Sequence, residues 1–342
     1  MERELAIDFG TAEFRVSVPT RGIVLRQPAC VAADSQTGAV LHFGNEALLK
    51  SKTNPDAYRL RYPFRSGWVF GEKIAPIASD FIERAREQIY ADADDVRLLF
   101  SIPCGLSDEQ EYAVAELGHR AGFGEAYLVY SPIAALVGMG CSLEHTYLAV
   151  NVGASFTDIA LITDGNIIYR ASHPVSGMAF NEAIASYVQN KYRLSLRYSE
   201  AERIKQAIGT VWSDEEKRTV EMVGADARGA VHRILLSSEE MFTALEDPCA
   251  ELLDAIHTAA MRVPLEAVEG LMETGILLFG GGAKLRGLPE MISGITGFRA
   301  TLTKDPEDAV ARGLARILPT LPQKLSVPNV SDIACKTNSY LY

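Results

Sequence analysis

The chain has 342 residues, 48% hydrophobic and 23% charged, with a formal net charge of −11. This composition is typical of an ordinary globular protein, and the chain is long enough for two domains or one bilobed domain. Because nucleic-acid binding depends on clustered lysine and arginine, the acidic balance argues against such a partner. No run approaches the ~18 apolar residues of a membrane span. The five cysteines are scattered without a CxxC pair, so we expect reduced thiols and a cytoplasmic location.

Strand and helix patterns alternate through residues 1–143, which we interpret as a first lobe. Short apolar runs at 5–7, 15–18 and 23–25 predict a strand meander, and the mixed polarity of about 32–70 indicates a small insertion. The later signals are a helix over 77–90, a strand over 96–102, a capping-box helix from Ser107, a strand over 127–130, and a helix with Ser131 as N-cap and Pro132 in its first turn.

A similar alternation continues through residues 144–320, which we interpret as a second lobe with an insertion at about 178–245. The predicted elements are strands at 147–152, 157–163 and 167–170, helices at 180–191 and 199–208, a short strand pair within 213–229, and a long helix starting at Ser237. Residues 321–342 contain scattered prolines and polar residues, and we expect a loosely held tail.

One motif occurs in both halves. Asp8-Phe9-Gly10-Thr11-Ala12 ends the first strand, and Asn151-Val152-Gly153-Ala154-Ser155 ends the corresponding strand of the second half. Glycine lets the backbone turn sharply and approach an anion, while exposed N–H groups and a hydroxyl can donate to phosphate oxygens. A third glycine turn, Gly280-Gly281-Gly282, follows another apolar run. One such turn is weak evidence, but three of them predict a nucleotide cleft between duplicated domains.

Together with Ser131-Pro132-Ile133-Ala134-Ala135 and Glu202-Arg203-Ile204-Lys205, these motifs follow the order and rough spacing of the bacterial actins. Over about residues 3 to 318 the sequence resembles that family, in particular its MreB and MamK branches. The resemblance implies an α/β actin-like ATPase fold, with two duplicated lobes and a cleft for ATP and Mg²⁺. It also implies a cytoskeletal filament protein of cell shape or intracellular organisation, which self-associates or co-assembles with another bacterial actin.

The resemblance also assigns site residues by position. The two phosphate loops fall on Thr11, Ala12 and Glu13 and on Gly153, Ala154 and Ser155, and the ribose and adenine contacts fall on Glu202 and Lys205. Gly281, Gly282 and Ala283 would let adenosine pack against bare backbone. Asp8 would hold Mg²⁺ through a bound water molecule, and Asn151 would hold it weakly. Residue by residue, plainer interpretations remain open: a solvated ion pair for Glu202 and Lys205, a simple turn for Gly280-Gly281-Gly282, and a cap on backbone donors for Asp8.

Three departures from the family bear on chemistry. Ser131 stands where active relatives carry a carboxylate, and a neutral hydroxyl cannot act as general base near pH 7. Asn151 replaces an aspartate, which leaves Asp8 as the only protein anion for Mg²⁺. Glu13 and Phe14 replace small or neutral residues, and a carboxylate there would repel a triphosphate. We therefore expect that no catalytic residue is intact. The chain should bind ATP but hydrolyse it slowly or not at all, which makes it a weak ATPase at most.

Two alternative functions remain open, and the sequence also bears on membrane attachment. The alternatives are a non-polymerising scaffold or adaptor with the actin fold and, less favoured, a sugar kinase of the same superfamily, for which the sequence offers no obvious aspartate base. The chain opens with Met1-Glu2-Arg3-Glu4, and the loop at 90–95 is acidic. Anionic lipid would repel such a loop, so we expect no direct membrane insertion.

Overall fold

The computed structural model describes residues 3–64, 74–90, 96–212 and 217–321. Its strands are β1 (Arg3–Phe9), β2 (Glu13–Val18), β3 (Gly22–Pro28), β4 (Val31–Asp34), β5 (Val40–Phe43), β6 (Tyr58–Arg61), β7 (Val96–Ile102), β8 (Glu125–Tyr130), β9 (Tyr147–Val152), β10 (Thr157–Thr163), β11 (Asn166–His173), β12 (Thr219–Ala225), β13 (Val231–Ser237), β14 (Ile276–Phe279) and β15 (Ala300–Leu302). Its helices are α1 (Gly44–Thr53), α2 (Ala75–Ile89), α3 (Asp108–Arg120), α4 (Ser131–Met139), α5 (Gly177–Tyr192), α6 (Tyr198–Ile208), α7 (Ser238–Ala260), α8 (Val268–Thr274), α9 (Leu288–Thr296) and α10 (Ala309–Ile317).

Two five-stranded sheets have the same plan. The first has the order β3-β2-β1-β7-β8 and the second the order β11-β10-β9-β14-β15. In each sheet the three strands of a meander are antiparallel. The first strand of the meander pairs in parallel with the fourth strand of the sheet, which in turn pairs in parallel with the fifth. This repetition confirms the duplication that the sequence motif predicts. It also fixes the mixed α/β character of the fold.

The first unit comprises the described residues of Met1–Leu143 and Asp308–Tyr342. Helix α10 therefore belongs to the first unit and packs against α4. The sequence predicts a second lobe over residues 144–320, which would have included this helix. Two glycines explain the difference. A Cβ on Gly313 would lie 1.6 Å from the carbonyl oxygen of Ala134, and one on Gly138 would lie 2.1 Å from that of Ala309. The two helices thus meet backbone to backbone, a contact between distant residues that no local pattern shows.

A small three-stranded sheet lies within the first unit, in the order β5-β4-β6. Helix α1 covers it, and Cys30, Ala32 and Ala47 form its buried centre. These elements occupy part of the stretch 32–70 in which the sequence indicates an insertion. Residues 65–73 lie outside the described part of the chain.

The second unit comprises Glu144–Glu307 and has one continuous hydrophobic core. Phe180 of α5 and Ile204 of α6 belong to the same cluster as the sheet residues, as do Met222 and Leu236 of the β12–β13 hairpin. This strand pair begins and ends later than the predicted range 213–229. Its turn forms at residues 226–230, where the Asp226 carboxylate accepts two backbone N–H groups at 2.9 Å.

The structure confirms two of the predicted helix starts and corrects one. Ser107 and Ser237 each form a complete capping box. Ser131 is not an N-cap: that position belongs to Tyr130, without a side-chain cap, and the Ser131 hydroxyl donates to the carbonyl oxygen of Ile102 at 3.1 Å. Strand β8 runs directly into α4, so the serine faces the end of the neighbouring strand β7 instead of its own helix.

Four of the five cysteines and helices α1 to α10 lie in the described part of the chain. Cys30, Cys104, Cys141 and Cys249 are not in disulfides, and burial raises the pKa of Cys249 to about 12. No helix in the described ranges has the length and apolar character needed to cross a bilayer. The acidic residues 91–95 and the predicted tail from residue 322 lie outside those ranges.

Candidate functional site

The two glycine motifs form similar turns, one in each unit. A Cβ on Gly10 would lie 2.6 Å from the carbonyl oxygen of Glu13, and a Cβ on Gly153 would lie 2.9 Å from that of Phe156. In each case the crowding atom belongs to the residue three positions later. Since a Cβ has no room against a backbone oxygen at such distances, both turns need glycine for the close approach.

In the first unit, the ends of three parallel strands carry polar side chains. Asp8 lies near the end of β1, Ser101 near the end of β7, and Ser131 directly after β8. The Ser101 hydroxyl donates to Asp8 Oδ1 at 3.0 Å. Burial raises the pKa of Asp8, while the charge of Arg15 and this hydrogen bond lower it in part. Ser131 is buried, and its proton is directed at the backbone of Ile102.

Arg15 lies directly opposite Asp8 in the β1–β2 pair. Its guanidinium is 3.5 Å from Asp8 Oδ2, forms an ion pair with Glu13, and lies 3.3 Å from Asp308 Oδ1. Arg26 also donates to Asp308 Oδ1 at 2.5 Å and lies 3.5 Å from Glu13. We call these five residues the Arg15 cluster. The negative charge of Glu13, which the sequence suggested would repel a triphosphate, is thus balanced by two guanidinium groups.

Sequence reasoning did not identify Arg15, Arg26 or Asp308. A tight turn between β1 and β2 would have placed Arg15 opposite Asp8, because directly paired residues of a hairpin share one face of the sheet. Asp308 offers no such signal, since it joins the cluster only because α10 returns to the first unit.

In the second unit, the Gly280-Gly281-Gly282 turn packs against the second loop. Strands β9 and β14 are parallel neighbours, and Phe279 pairs in register with Asn151. A Cβ on Gly280 would lie 2.5 Å from Asn151 Oδ1, and one on Gly282 would lie 2.6 Å from Val152 Cγ1. The glycines therefore permit a close contact between two strand ends and do more than reverse the chain.

The start of α5 joins this edge as well. Gly177 N donates to Gly153 O at 3.0 Å, and Met178 N donates to Ala154 O at 2.9 Å. Ser155 Oγ donates to Met178 Sδ at 3.3 Å. The loop is thus held in place by the first turn of a helix.

Glu202 and Lys205 form a partly buried network next to that turn. Lys205 Nζ donates to Glu202 Oε2 at 2.8 Å and to Gly177 O at 2.9 Å, and its side chain is only 11% exposed. Asn181 and Gln206 each donate a further hydrogen bond to the Glu202 carboxylate. Burial lowers the pKa of Lys205, against the opposing effect of Glu202. Burial alone would raise the pKa of Glu202, but Lys205 and these hydrogen bonds hold the pKa of Glu202 low. A solvated surface pair is therefore the wrong interpretation.

The residues assigned to Mg²⁺ do not fit that role. Asp8 already accepts from Ser101 and faces Arg15, and Asn151 brings no charge. Asp158, which sequence reasoning also missed, lies opposite Asn151 in the β9–β10 pair and accepts the Ser172 hydroxyl. Among the described residues, no group of three or more His, Cys, Asp or Glu side chains could hold a metal ion.

Comparison with known proteins decides the family. The family model described as MreB/Mbl protein matches residues 2–325. The chain belongs to the MreB/Mbl family. The predicted resemblance to bacterial actins is therefore confirmed, and with it the actin-like fold of two duplicated α/β lobes.

One curated relative agrees with this MreB/Mbl assignment, and two solved structures share the fold. The cell shape-determining protein MreB of Escherichia coli K12 is 30% identical over 326 residues, which cover 92% of this chain and 93% of that protein. The crystal structure of MreB5 of Spiroplasma citri bound to ADP matches with a TM-score of 0.85 and 22% identity, over 93% of this chain and 96% of that one. The MamK double helical filament matches with a TM-score of 0.79 and 17% identity, over 94% and 100% of the two chains.

Proposed function

We propose that this MreB/Mbl protein binds ATP through its two glycine loops and hydrolyses it slowly or not at all. Thr11, Ala12 and Glu13 would contact phosphate from the first unit, and Gly153, Ala154 and Ser155 from the second. Glu202 and Lys205 would approach the ribose and adenine, and Gly281, Gly282 and Ala283 would lie against adenosine. The MreB5 neighbour is described as bound to ADP, which supports this proposal.

One observation carries the nucleotide proposal. The second loop, the start of α5, the Lys205 ammonium and the Gly280-Gly281-Gly282 turn all meet at one edge of the second sheet. Glycine turns that expose backbone N–H groups favour anions, and a partly buried ammonium adds positive charge at the same place. Such an arrangement suits a phosphorylated ligand, and the carboxylate of Glu202 adds an acceptor for hydroxyl groups.

Lys205→Met should weaken ATP binding, because it removes the ammonium while keeping most of the side-chain length. The loss of one charge-assisted hydrogen bond would raise the Kd roughly 10- to 100-fold. The matched control is Arg203→Met. Arg203 is on the same helix and is also paired with a glutamate three residues earlier, but its side chain is 46% exposed and donates to Glu200 and to Glu221 O. Titration of a fluorescent ATP analogue, with thermal melts of each variant, measures the effect, and equal losses in both variants would contradict the assignment.

We further propose that the chain forms cytoskeletal filaments, alone or with another bacterial actin, and acts in cell shape or intracellular organisation. The name of the Escherichia coli relative and the filament formed by MamK support this. Subunits that stack head to tail make a heterologous contact, which propagates when its rotation does not close into a ring. We place these contacts on the lobes and on the stretches at about 32–70 and 178–245, away from the reacting phosphate.

Filaments of this protein should persist. If hydrolysis is lost while the assembly contacts remain, the energy source for disassembly is removed and polymer lifetime should depend little on the nucleotide. Light scattering and electron microscopy with ATP or with AMPPNP test this. Polymer that forms with ATP and then decays, but is stable with AMPPNP, would contradict the proposal. A chain that stays monomeric in every condition, even when mixed with a relative, would instead favour the non-polymerising scaffold.

A further inference from the structure

The charge arrangement around Asp8 has a functional consequence. We infer that Arg15 supplies, as a built-in cation, the positive charge that Mg²⁺ would otherwise bring to Asp8, so that this chain binds ATP with little dependence on Mg²⁺. The inference rests on the proposed ATP binding and concerns the same site. It follows from three features of the Arg15 cluster: its contacts with Asp8, its charge balance and its rigidity.

The first feature is that both oxygens of Asp8 are engaged. Oδ1 accepts the Ser101 hydroxyl at 3.0 Å, and Oδ2 lies 3.5 Å from the Arg15 guanidinium. The Asp8 side chain is only 14% exposed and that of Arg15 only 10%. Mg²⁺ needs one or two carboxylates together with phosphates and gives up its water shell reluctantly. A divalent cation approaching this carboxylate would meet a positive charge already in place.

The second feature is that the Arg15 cluster and the neighbouring Arg312 together balance their charges. Three carboxylates, those of Asp8, Glu13 and Asp308, face the guanidinium groups of Arg15 and Arg26, and Arg312 lies 3.9 Å from Asp308. Arginine stays protonated throughout the physiological range. The three negative charges are therefore met by three permanent positive ones, and the cluster does not need a metal ion for neutrality.

The third feature is that Arg15 is held in place. It contacts carboxylates on its own strand, on the neighbouring strand and at the start of α10. A guanidinium offers five donors in a planar fork that matches phosphate geometry. At the corresponding strand end of the second unit, Asn151 is neutral, and the Asp158 carboxylate opposite it accepts from Ser172.

The test measures the affinity of the unmodified protein for ATP in Mg²⁺ and in EDTA, by titration with a fluorescent ATP analogue and by calorimetry. The expected result is a Kd that changes by less than about threefold, because Arg15 already supplies a positive charge beside Asp8. A loss of about tenfold or more in EDTA would overturn the inference while leaving ATP binding intact. Absence of binding in both conditions would instead refute the proposed function, and the inference with it.

A variant pair identifies the residue responsible. The double variant Glu13→Gln with Arg15→Gln frees Asp8 and keeps the net charge of the cluster, so its affinity for ATP should become roughly tenfold or more dependent on Mg²⁺. Glu13→Gln with Arg26→Gln is the matched control, because it also removes one negative and one positive charge from the cluster but leaves Arg15 beside Asp8. Its response to Mg²⁺ should equal that of the unmodified protein. An Arg15→Gln double variant that folds, as judged by its thermal melt, and stays insensitive to Mg²⁺ would contradict the role of Arg15. If it does not fold, the result with the unmodified protein decides.

Discussion

Replacing Ser131 with glutamate and Asn151 with aspartate should raise ATP turnover by roughly 10²–10⁴-fold, the range that general-base help supplies. The unmodified Ser131 cannot provide this help, because it is neutral near pH 7 and its proton is donated to Ile102 O at 3.1 Å. Glutamate at this position, the residue type the family resemblance leads us to expect, would supply a base. A phosphate-release assay at saturating ATP measures the gain.

The control for this prediction is Ser131→Gln combined with Asn151→Asp. Glutamine has nearly the size of glutamate and removes the same hydrogen bond to Ile102, but it cannot accept a proton near neutral pH. Its turnover should therefore stay close to that of the unmodified protein. Equal gains in both variants would show that a change of shape, not a base, is responsible. An unmodified protein that already hydrolyses ATP as fast as ordinary bacterial actins would end the argument for a degenerate site.

Gly313→Ala should strongly destabilise the protein, because the added Cβ would lie 1.6 Å from Ala134 O at the contact between α4 and α10. Inserting even one methyl group into a tight contact typically costs about 1–3 kcal/mol, and occasionally more. Here the opposing atom belongs to the backbone and cannot move aside as a side chain can. We therefore expect the loss to reach at least the upper end of that range. The midpoint of urea unfolding measures it.

Gly294→Ala is the matched control for this stability prediction. Gly294 is also a helical glycine, in α9, but an added Cβ there meets no atom within 4 Å. Alanine in a helix interior is favoured over glycine by roughly 0.5–1 kcal/mol, so this variant should be slightly more stable than the unmodified protein. Opposite signs for the two substitutions are the expected result. A neutral effect of Gly313→Ala would mean that α4 and α10 do not meet as closely as described.

Much of the fold could be predicted from the sequence because its signals are local. The strand that ends in Asp8-Phe9-Gly10 and its counterpart before Gly153 have apolar residues followed by a glycine turn, and the duplicated sheets confirm that duplication. The predicted capping box at Ser107 and the predicted helix start at Ser237 are confirmed, because the signals for each lie within four residues of chain. Family resemblance supplied the rest of the candidate site, and its assignments remain predictions.

The features that escaped prediction depend on contacts between distant residues. Asp308 contacts Arg15 across nearly three hundred residues of chain, and no periodicity or spacing indicates such a pair. Ser131, directly after β8, has the sequence context of an N-cap, yet its hydroxyl donates a hydrogen bond to the carbonyl oxygen of Ile102 on the adjacent strand. Lys205 and Glu202 have the spacing of a surface pair, and only the packing of α6 near Gly177 makes them partly buried.

The return of α10 to the first unit sets an order for folding during synthesis. The second unit is one continuous stretch, Glu144–Glu307, whereas the first needs residues from both sides of it. At about 5–20 residues per second, the ribosome takes roughly 10–35 s to extend the chain from Leu143 to the end of α10. During that interval α4 lacks the helix that covers Ala134 and Gly138, and Arg15 lacks Asp308. The first unit to be translated is therefore the last to be completed, and the face of α4 that α10 covers stays uncovered until then.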